Sequence, residues 1–180
     1  MTTTTKLHFS PESFQLANGT RATIRAIRPT DAPLIQAFVS RLSSESIYYR
    51  FLSTITALSD AEATRLANVD YADRMSLVAT LLGASGELII AVARYARSTP
   101  APDRAEFAVV VEDPYQKQGL ARAMLRHIAR YAREHGINTF TGTILGGNLR
   151  MRQFVKNCGL PSNVSAGDHG ELEVEVSLGE

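Results

Sequence analysis

One short segment combines the residue types that bind phosphate groups. A run of β-branched residues is followed by Gln116-x-x-Gly119-x-Ala121 at the entry to an amphipathic helix. Small residues there let the backbone approach a ligand closely, and the first-turn amides of a helix have no intrahelical partners. These amides and the helix dipole predict a phosphate or pyrophosphate site, to which Lys117 and Arg122 add positive charge. The alternative is a tight turn that binds nothing, because short glycine patterns are weak signals.

A carboxylate, Glu106, stands near the start of the preceding strand. Strand alternation puts it on the same face as Ala108 and Val110, so we expect it to be partly shielded from water. An amine with a pKa of about 10.4 is nearly all ammonium at neutral pH, and its deprotonation costs about 4–5 kcal/mol. A carboxylate can accept that proton directly or through a water. We therefore expect Glu106 to be a general base; the alternative is a solvated carboxylate paired with Arg104 or Arg94.

Hydrophobic periodicity predicts the scaffold that positions these residues. The predicted strands cover 14–16, 23–27, 75–82, 87–97, 105–111, 139–145 and 172–176, and the predicted helices cover 29–41, a short stretch from 59, 119–135 and a stretch after 148. Asn18-Gly19 predicts a tight hairpin between the first two strands. This order predicts an α+β fold with a single mixed, mostly antiparallel sheet flanked by helices. We expect one domain, residues 13–180, after a flexible tail of residues 1–12.

Composition and charge exclude several classes of protein. Apolar residues make up 44% of the chain and charged residues 21%, and the formal net charge is +1, so no overall field attracts nucleic acid or a membrane surface. No stretch approaches the roughly 18 apolar residues of a membrane span, and the start has no apolar signal-peptide run. The single Cys158 fits a reducing compartment, so we expect a cytoplasmic protein. The histidines show no ligand spacing, so we expect no metal.

The segment around Gln116 resembles the acetyl-CoA pyrophosphate loop of the GNAT acyltransferases, Gln/Arg-x-x-Gly-x-Gly/Ala at a helix start. The segment 148–160 is similar to that family's closing loop and helix. The stretches 18–31, 42–51 and 105–111 resemble the catalytic domain of bacterial Pat-type protein lysine acetyltransferases. The resemblance implies the GNAT fold, acetyl-CoA as co-substrate and acetyl transfer to an amine.

The resemblance also implies roles for single residues. Backbone groups of the 109–111 strand would hold the pantetheine arm and a tetrahedral oxyanion, and Asn148 would lie near the thioester. Asn148 also suits a helix N-cap, and core packing is the stronger interpretation of Met151 and Phe154. The implied cofactor-binding residues are Val109, Val110, Val111, Gln116, Lys117, Gln118, Gly119, Leu120, Ala121, Arg122, Asn148, Met151 and Phe154, with Glu106 as the catalytic residue.

One position departs from the family pattern. Many GNAT enzymes carry a tyrosine seven residues after this asparagine as general acid for the leaving thiolate, and here that position is Val155. Either the thiolate leaves without a side-chain acid or another group replaces the tyrosine. We expect Cys158 to be a small buried hydrophobe, so the transfer should be direct, without an acyl-cysteine intermediate.

Three hypotheses for the acceptor stay open. The preferred acceptor is a protein lysine ε-amine, the second is a small amine, and the third hypothesis is a non-catalytic acyl-CoA-binding sensor. The shape formed by residues 40–58 and 161–170 would separate the first two. The last strand and the first hairpin could serve a homodimer.

Overall fold

The computed structural model, which describes residues 9–51 and 57–179, contains one sheet with helices on both faces. The strands are β1 (Glu12–Gln15), β2 (Arg21–Ala26), β3 (Arg74–Gly83), β4 (Gly86–Arg97), β5 (Arg104–Val111), β6 (Thr139–Leu145), β7 (Ser162–Ala166) and β8 (Glu171–Ser177). The α-helices are α1 (Ala32–Arg41), α2 (Ser44–Phe51), α3 (Asp60–Ala67), α4 (Leu120–Glu134) and α5 (Leu149–Lys156), and 3-10 turns cover Pro29–Asp31 and Asp113–Tyr115.

The sheet is mixed and mostly antiparallel, which confirms the predicted α+β class. Its strand order is β1-β2-β3-β4-β5-β6-β8-β7, and every neighbouring pair is antiparallel except β5 and β6, which are parallel. The predicted hairpin at Asn18-Gly19 joins β1 to β2, with Gly19 at φ +86°. A second hairpin joins β3 to β4 through the Gly83–Gly86 pair.

The core has two halves because the central strands are buried on both faces. Leu77 on β3 belongs to the half beneath α4, and the next residue, Val78, belongs to the half beneath α1 and α3. Helix α4 buries its apolar side against the sheet and exposes arginines on the other side, as its sequence pattern predicts. It ends at Gly136, whose φ of +77° lets Ile137 donate to the carbonyl oxygen of Ala132 at 3.0 Å.

Two elements were not predicted. No predicted element covers residues 44–51, but they form α2, which Ser43 caps by accepting from the amide of Ser46 at 3.2 Å. Residues 162–166 form β7, which pairs with β8 and makes β7, not the last strand, the edge of the sheet. All five residues of β7 are exposed, so the strand has no hydrophobic alternation that would reveal it.

The N-terminal boundary lies partly outside the described residues, since residues 1–8 of the predicted tail are not described. Phe9 packs edge-on against His127 of α4, with 6.1 Å between the ring centroids. Among the helices of the described residues, none is both long and apolar enough to span a bilayer.

Candidate active site

The parallel strands β5 and β6 separate part way along their length. They are paired only where Arg104–Glu106 faces Thr139–Thr141; beyond this point β5 pairs with β4 and β6 pairs with β8. Where the two strands separate, the backbones of Phe107 and Gly142 are close: a Cβ added to Gly142 would lie 3.4 Å from the carbonyl oxygen of Phe107. The result is a wedge-shaped opening, which we call the β5–β6 wedge, bounded on one side by residues 107–111.

The wedge exposes backbone groups of two of the predicted valines. The amide of Glu112 donates to Ile90 on β4 at 2.9 Å, and hydrogen-bonding direction alternates along an antiparallel strand. Val110 therefore directs its backbone groups at β4, whereas Val109 and Val111 direct theirs into the wedge. The carbonyl oxygen of Val111 accepts from Nε2 of Gln116 at 3.0 Å, which leaves its amide and the groups of Val109 for a ligand.

The loop at the open end of the wedge has the backbone conformation that an anion site requires. Lys117 and Gly119 both have left-handed backbones, with φ of +60° and +80°. Among the described residues, the amides of residues 117–122 have no hydrogen-bond partner. They stand at the positive end of the 15-residue helix α4. This arrangement fits a pyrophosphate.

A side-chain atom in the same loop also lacks a partner. The Oε1 atom of Gln118 is buried and accepts no hydrogen bond from the described residues, while its Nε2 donates to Pro114 at 3.2 Å. A buried acceptor without a donor is rare in folded proteins. The loop therefore has an acceptor and a row of donors available for the amides and phosphates of coenzyme A.

The two charged side chains of the loop differ in their contacts. Lys117 is exposed, whereas the guanidinium of Arg122 donates to the carbonyl oxygen of Asn157 just after α5. Gln116 accepts from Arg150 of α5 at 3.2 Å. The loop is thus tied to α5 across the mouth of the wedge.

Helix α5 brings the remaining predicted residues to this mouth. Asn148 is buried and caps the helix, accepting from the amide of Met151 at 3.0 Å. Met151 and Phe154 are half-buried and pack against the core, in agreement with the core interpretation, while still bordering the surface. Val155 and Cys158 are both buried, as an aliphatic side chain and a structural cysteine would be.

Glu106 is the last residue of β5 that is paired with β6, so it stands at the apex of the wedge. Its side chain is exposed, so the expected shielding from water is wrong. Neither predicted ion pair is present among the described residues: Arg104 pairs with Glu175, and Arg94 has no carboxylate within 4.0 Å. Glu106 instead borders a cavity of about 350 Å³ that α2 and α3 cover.

Helix α2 contributes residues to this cavity that the sequence analysis placed only within the range 40–58. Arg50 and Phe51 line the cavity beside Glu106, and the hydroxyl of Tyr49 donates to the carbonyl oxygen of Gly147 at 3.4 Å. Burial lowers the pKa of Arg50, and the charge of Glu106 opposes that effect. The signal that could have located α2 is the Ser43 N-cap, followed by apolar residues at helical spacing.

Among the described residues, no group of three or more His, Cys, Asp or Glu side chains is arranged to hold a metal ion. The site consists of backbone amides, one carboxylate and a wedge. The loop and the wedge together suit the pyrophosphate and the pantetheine arm of a coenzyme A thioester, the acyl donor that the resemblance to the GNAT acyltransferases implies.

The chain belongs to the GNAT acetyltransferase family, since the family model for the acetyltransferase (GNAT) domain matches residues 21–161. It is 33% identical over 138 residues to Acetyltransferase PA5475 of Pseudomonas aeruginosa, covering 76% of this chain and 73% of that protein. It is 31% identical over 150 residues to Acetyltransferase Pat of Mycolicibacterium smegmatis, covering 83% of this chain but only 44% of that protein.

The structural comparison agrees. The crystal structure of the GNAT domain of S. lividans PAT matches with a TM-score of 0.83 and 34% identity, over 93% of this chain and 96% of that one. The predicted fold and family are therefore confirmed, and the chain is an acetyl-CoA-dependent N-acetyltransferase.

Proposed function

We propose that this protein transfers the acetyl group of acetyl-CoA directly to the ε-amine of a protein lysine, with Glu106 as general base. The observation that carries the proposal is the position of Glu106, at the apex where β5 and β6 part. From there it borders both the wedge and the cavity beneath α2 and α3. The protein acceptor rests on the likeness to Pat-type protein lysine acetyltransferases, together with the similarity to the GNAT domain of S. lividans PAT.

In this proposal the coenzyme supplies the acetyl thioester and the protein positions it. The unpaired amides of residues 117–122 bind the pyrophosphate, and Val109 and Val111 bind the pantetheine arm. Asn148, the N-cap of α5, lies near the thioester end, and Met151 and Phe154 line the arm. The same strand edge offers an amide to the carbonyl oxygen as it gains negative charge.

Glu106 removes the proton that keeps the amine unreactive. Taking an ammonium of pKa about 10.4 to the free amine costs about 4–5 kcal/mol at neutral pH. The carboxylate lowers the barrier to acetyl transfer by accepting the amine proton, directly or through a water, as the N–C bond forms. The exposure of Glu106 lets a water relay the proton. Val155 cannot donate a proton, so the thiolate, with a pKa of about 8.5, leaves without a side-chain acid at that position.

The test is Glu106→Gln, with acetylation of a lysine-bearing protein followed by CoA release and by mass gain on the lysine. We expect turnover to fall by about 100-fold or more, since general base catalysis contributes roughly 10²–10⁴-fold. The acetyl-CoA dissociation constant should stay within about twofold, because the amide loop is unchanged. Glu173→Gln, an exposed carboxylate on β8, is the matched control and should leave turnover unchanged.

Other outcomes select the other hypotheses. Turnover of Glu106→Gln within a few-fold of the parent rules out Glu106 as the base. CoA release only with free amines moves the enzyme to the small-molecule class, and binding without release identifies a sensor. Two further proposals do not depend on the acceptor. The single free cysteine, Cys158, supports a cytoplasmic location. The second proposal is a homodimer.

A further inference from the structure

Three arginines border the cavity onto which Glu106 opens. They come from three different elements: Arg50 from α2, Arg65 from α3 and Arg94 from β4. On the shared sheet face Arg94 stands diagonally across from Glu106, because it faces Ala108 while Glu106 faces Ala96. The arginines therefore surround the place where an amine must lie to reach Glu106.

None of these three arginines has a carboxylate within 4.0 Å among the residues that the structure describes. The neighbouring segment 52–56, which is not described, contains no acidic residue. Arg65 is exposed, but Arg50 and Arg94 are half-buried, and the other buried or half-buried arginines that the structure describes are paired with carboxylates: Arg25 with Asp31, Arg41 with Glu112, Arg97 with Asp73 and Arg104 with Glu175. The unpaired guanidiniums at the cavity are thus a local feature, which we call the arginine cluster.

The cavity's two carboxylates, Glu62 and Glu106, offset the charge of the cluster only in part, since three guanidiniums share the lining with them. The carboxylate of Glu62 is oriented by Ser59, whose amide and hydroxyl donate to it at 2.9 and 2.7 Å in the capping box of α3, and it feels the charge of Arg65. The lining therefore keeps a net positive charge. Burial, followed by the charges of Arg50, Arg65 and Arg74, lowers the pKa of Arg94 to about 10, which leaves it charged at neutral pH. Like charges held together in this way are stabilised by a bound anion.

We infer that the arginine cluster binds a carboxylate carried by the acceptor, so that the preferred substrate is a lysine flanked by acidic residues. A planar guanidinium matches a carboxylate with two parallel hydrogen bonds, which suits this recognition. The anion would also offset the repulsion that a lysine ammonium meets beside three arginines. This inference rests on the proposed lysine acetyltransferase function and specifies its substrate.

The experiment compares three peptides of equal length that carry one lysine flanked by Glu, by Gln or by Arg. We expect kcat/KM for the Glu-flanked peptide to exceed that for the Gln-flanked peptide by about tenfold, and the Arg-flanked peptide to be the poorest substrate. The preference should shrink as salt rises from 0.05 to about 0.5 M, because screening weakens charge pairing. Free lysine, with its α-carboxylate, is the fourth acceptor.

Two variants test the residues named. Arg94→Gln and Arg65→Gln should each reduce the Glu-over-Gln preference by about threefold or more and leave the acetyl-CoA dissociation constant unchanged. Arg65 is exposed on α3, so its variant should fold even where Arg94→Gln does not. Arg21→Gln, at an exposed arginine on β2 that does not line the cavity, is the control and should keep the full preference.

The outcomes separate this inference from the proposed function. Equal kcat/KM for the Glu- and Gln-flanked peptides, with both acetylated, overturns the inference and leaves the lysine acetyltransferase intact. A preference that survives in both arginine variants also overturns it. Acetylation of free lysine but of no peptide overturns the protein acceptor and this inference with it.

Discussion

At the scale of single residues, the loop that begins α4 adopts a strained backbone for a clear reason. Lys117 and Gly119 both have positive φ, and an L-residue such as Lys117 meets a steric penalty there. Backbones of this kind turn successive amides toward one side, which forms a concave anion site. Because the described structure offers these amides no partner, we expect a bound phosphate to offset the cost of this backbone conformation.

Gly119→Ala tests this role. A Cβ at residue 119 has space, since its nearest neighbour outside the adjacent chain is Phe14 at 3.8 Å, but φ +80° is unfavourable for alanine by about 1–2 kcal/mol. We expect the loop to relax when empty, so that the acetyl-CoA dissociation constant rises by roughly 5- to 30-fold. Isothermal titration calorimetry measures this directly.

Gly136→Ala is the matched control, because Gly136 has a φ of +77° and open space around its Cβ position, at the other end of α4. Gly136→Ala should lower thermal stability about as much as Gly119→Ala does and should leave the acetyl-CoA dissociation constant within about twofold of the parent value. Equal losses of affinity in the two variants would show that the loss reflects general destabilisation of α4 and not the loop.

At the scale of elements, helices α1 and α2 hold the turn that leads from β5 into the loop. Arg41 on α1 contacts Glu112 at 3.1 Å and donates to the carbonyl oxygen of Ile89 at 2.7 Å. Asp113 accepts from the hydroxyl of Ser43 at 2.7 Å and from that of Ser46 at 3.0 Å. Burial alone would raise the pKa of Asp113, but these hydrogen bonds outweigh it and hold the pKa below its usual value.

Arg41→Met removes the cation of this anchor and keeps most of the apolar stem. Glu112 is only 9% exposed, so its carboxylate would remain buried without a partner. We expect a loss of about 2–3 kcal/mol in the free energy of unfolding, below the value for a fully buried pair because Arg41 is 29% exposed. Urea denaturation measures it. Arg74→Ala breaks the exposed pair with Asp70 and should cost less than about 1 kcal/mol; a similar loss in both variants would contradict the anchor.

The sequence predicted the elements whose pattern is local and missed those defined by pairing. The Asn18-Gly19 hairpin and the amphipathic stripe of α4 depend on residues a few positions apart, and they were predicted within a few residues. Strand β7 has no apolar face of its own and exists through its pairing with β8. The β5–β6 wedge depends on where two distant strands stop pairing, which no local pattern encodes.

In the candidate site too, features with a local pattern were predicted, and features that depend on distant segments were not. The loop residues, Asn148 and the position of Glu106 on its strand followed from motif and alternation. The exposure of Glu106 and the arginine cluster did not, because they depend on how α2, α3 and β4 surround the carboxylate. Such surroundings are set by tertiary packing, because Arg94 and Arg50 lie 12 and 56 residues from Glu106 along the chain.

At the scale of the whole molecule, the amide loop and the cavity beside Glu106 lie on opposite faces of the sheet, and the wedge connects them. Helix α4 and the amide loop belong to one half of the core, whereas the cavity beside Glu106 lies on the face that α1 and α3 cover. In the proposed mechanism, an acyl donor bound through the loop and an amine in the cavity would meet at the apex of the wedge. A substitution on the α4 face can therefore change the free energy of unfolding without touching the cavity beside Glu106.

On that face His127 gives the fold a pH dependence of known sign. Burial in α4 lowers the pKa of His127, the charges of Arg126 and Arg130 lower it further, and Glu12, whose Oε1 lies 3.3 Å from Nδ1, opposes them. The unfolded chain, with a histidine pKa of about 6.5, therefore binds the proton more readily than the folded one. The contribution of His127 to stability is present above about pH 6.5 and is lost as pH falls through the lower folded pKa.

We expect the free energy of unfolding, measured with urea at pH 7.5 and pH 5.5, to decrease between these values in the parent protein. His127→Asn should decrease less over the same interval, because the titrating group is gone. His169→Asn, at an exposed loop histidine with φ +52° that asparagine tolerates, should keep the parental decrease. The lowered pKa values of Glu12, Glu87 and Asp113 act mainly below about pH 4.5, outside this window. An identical decrease in His127→Asn and the parent would assign the pH dependence to other groups.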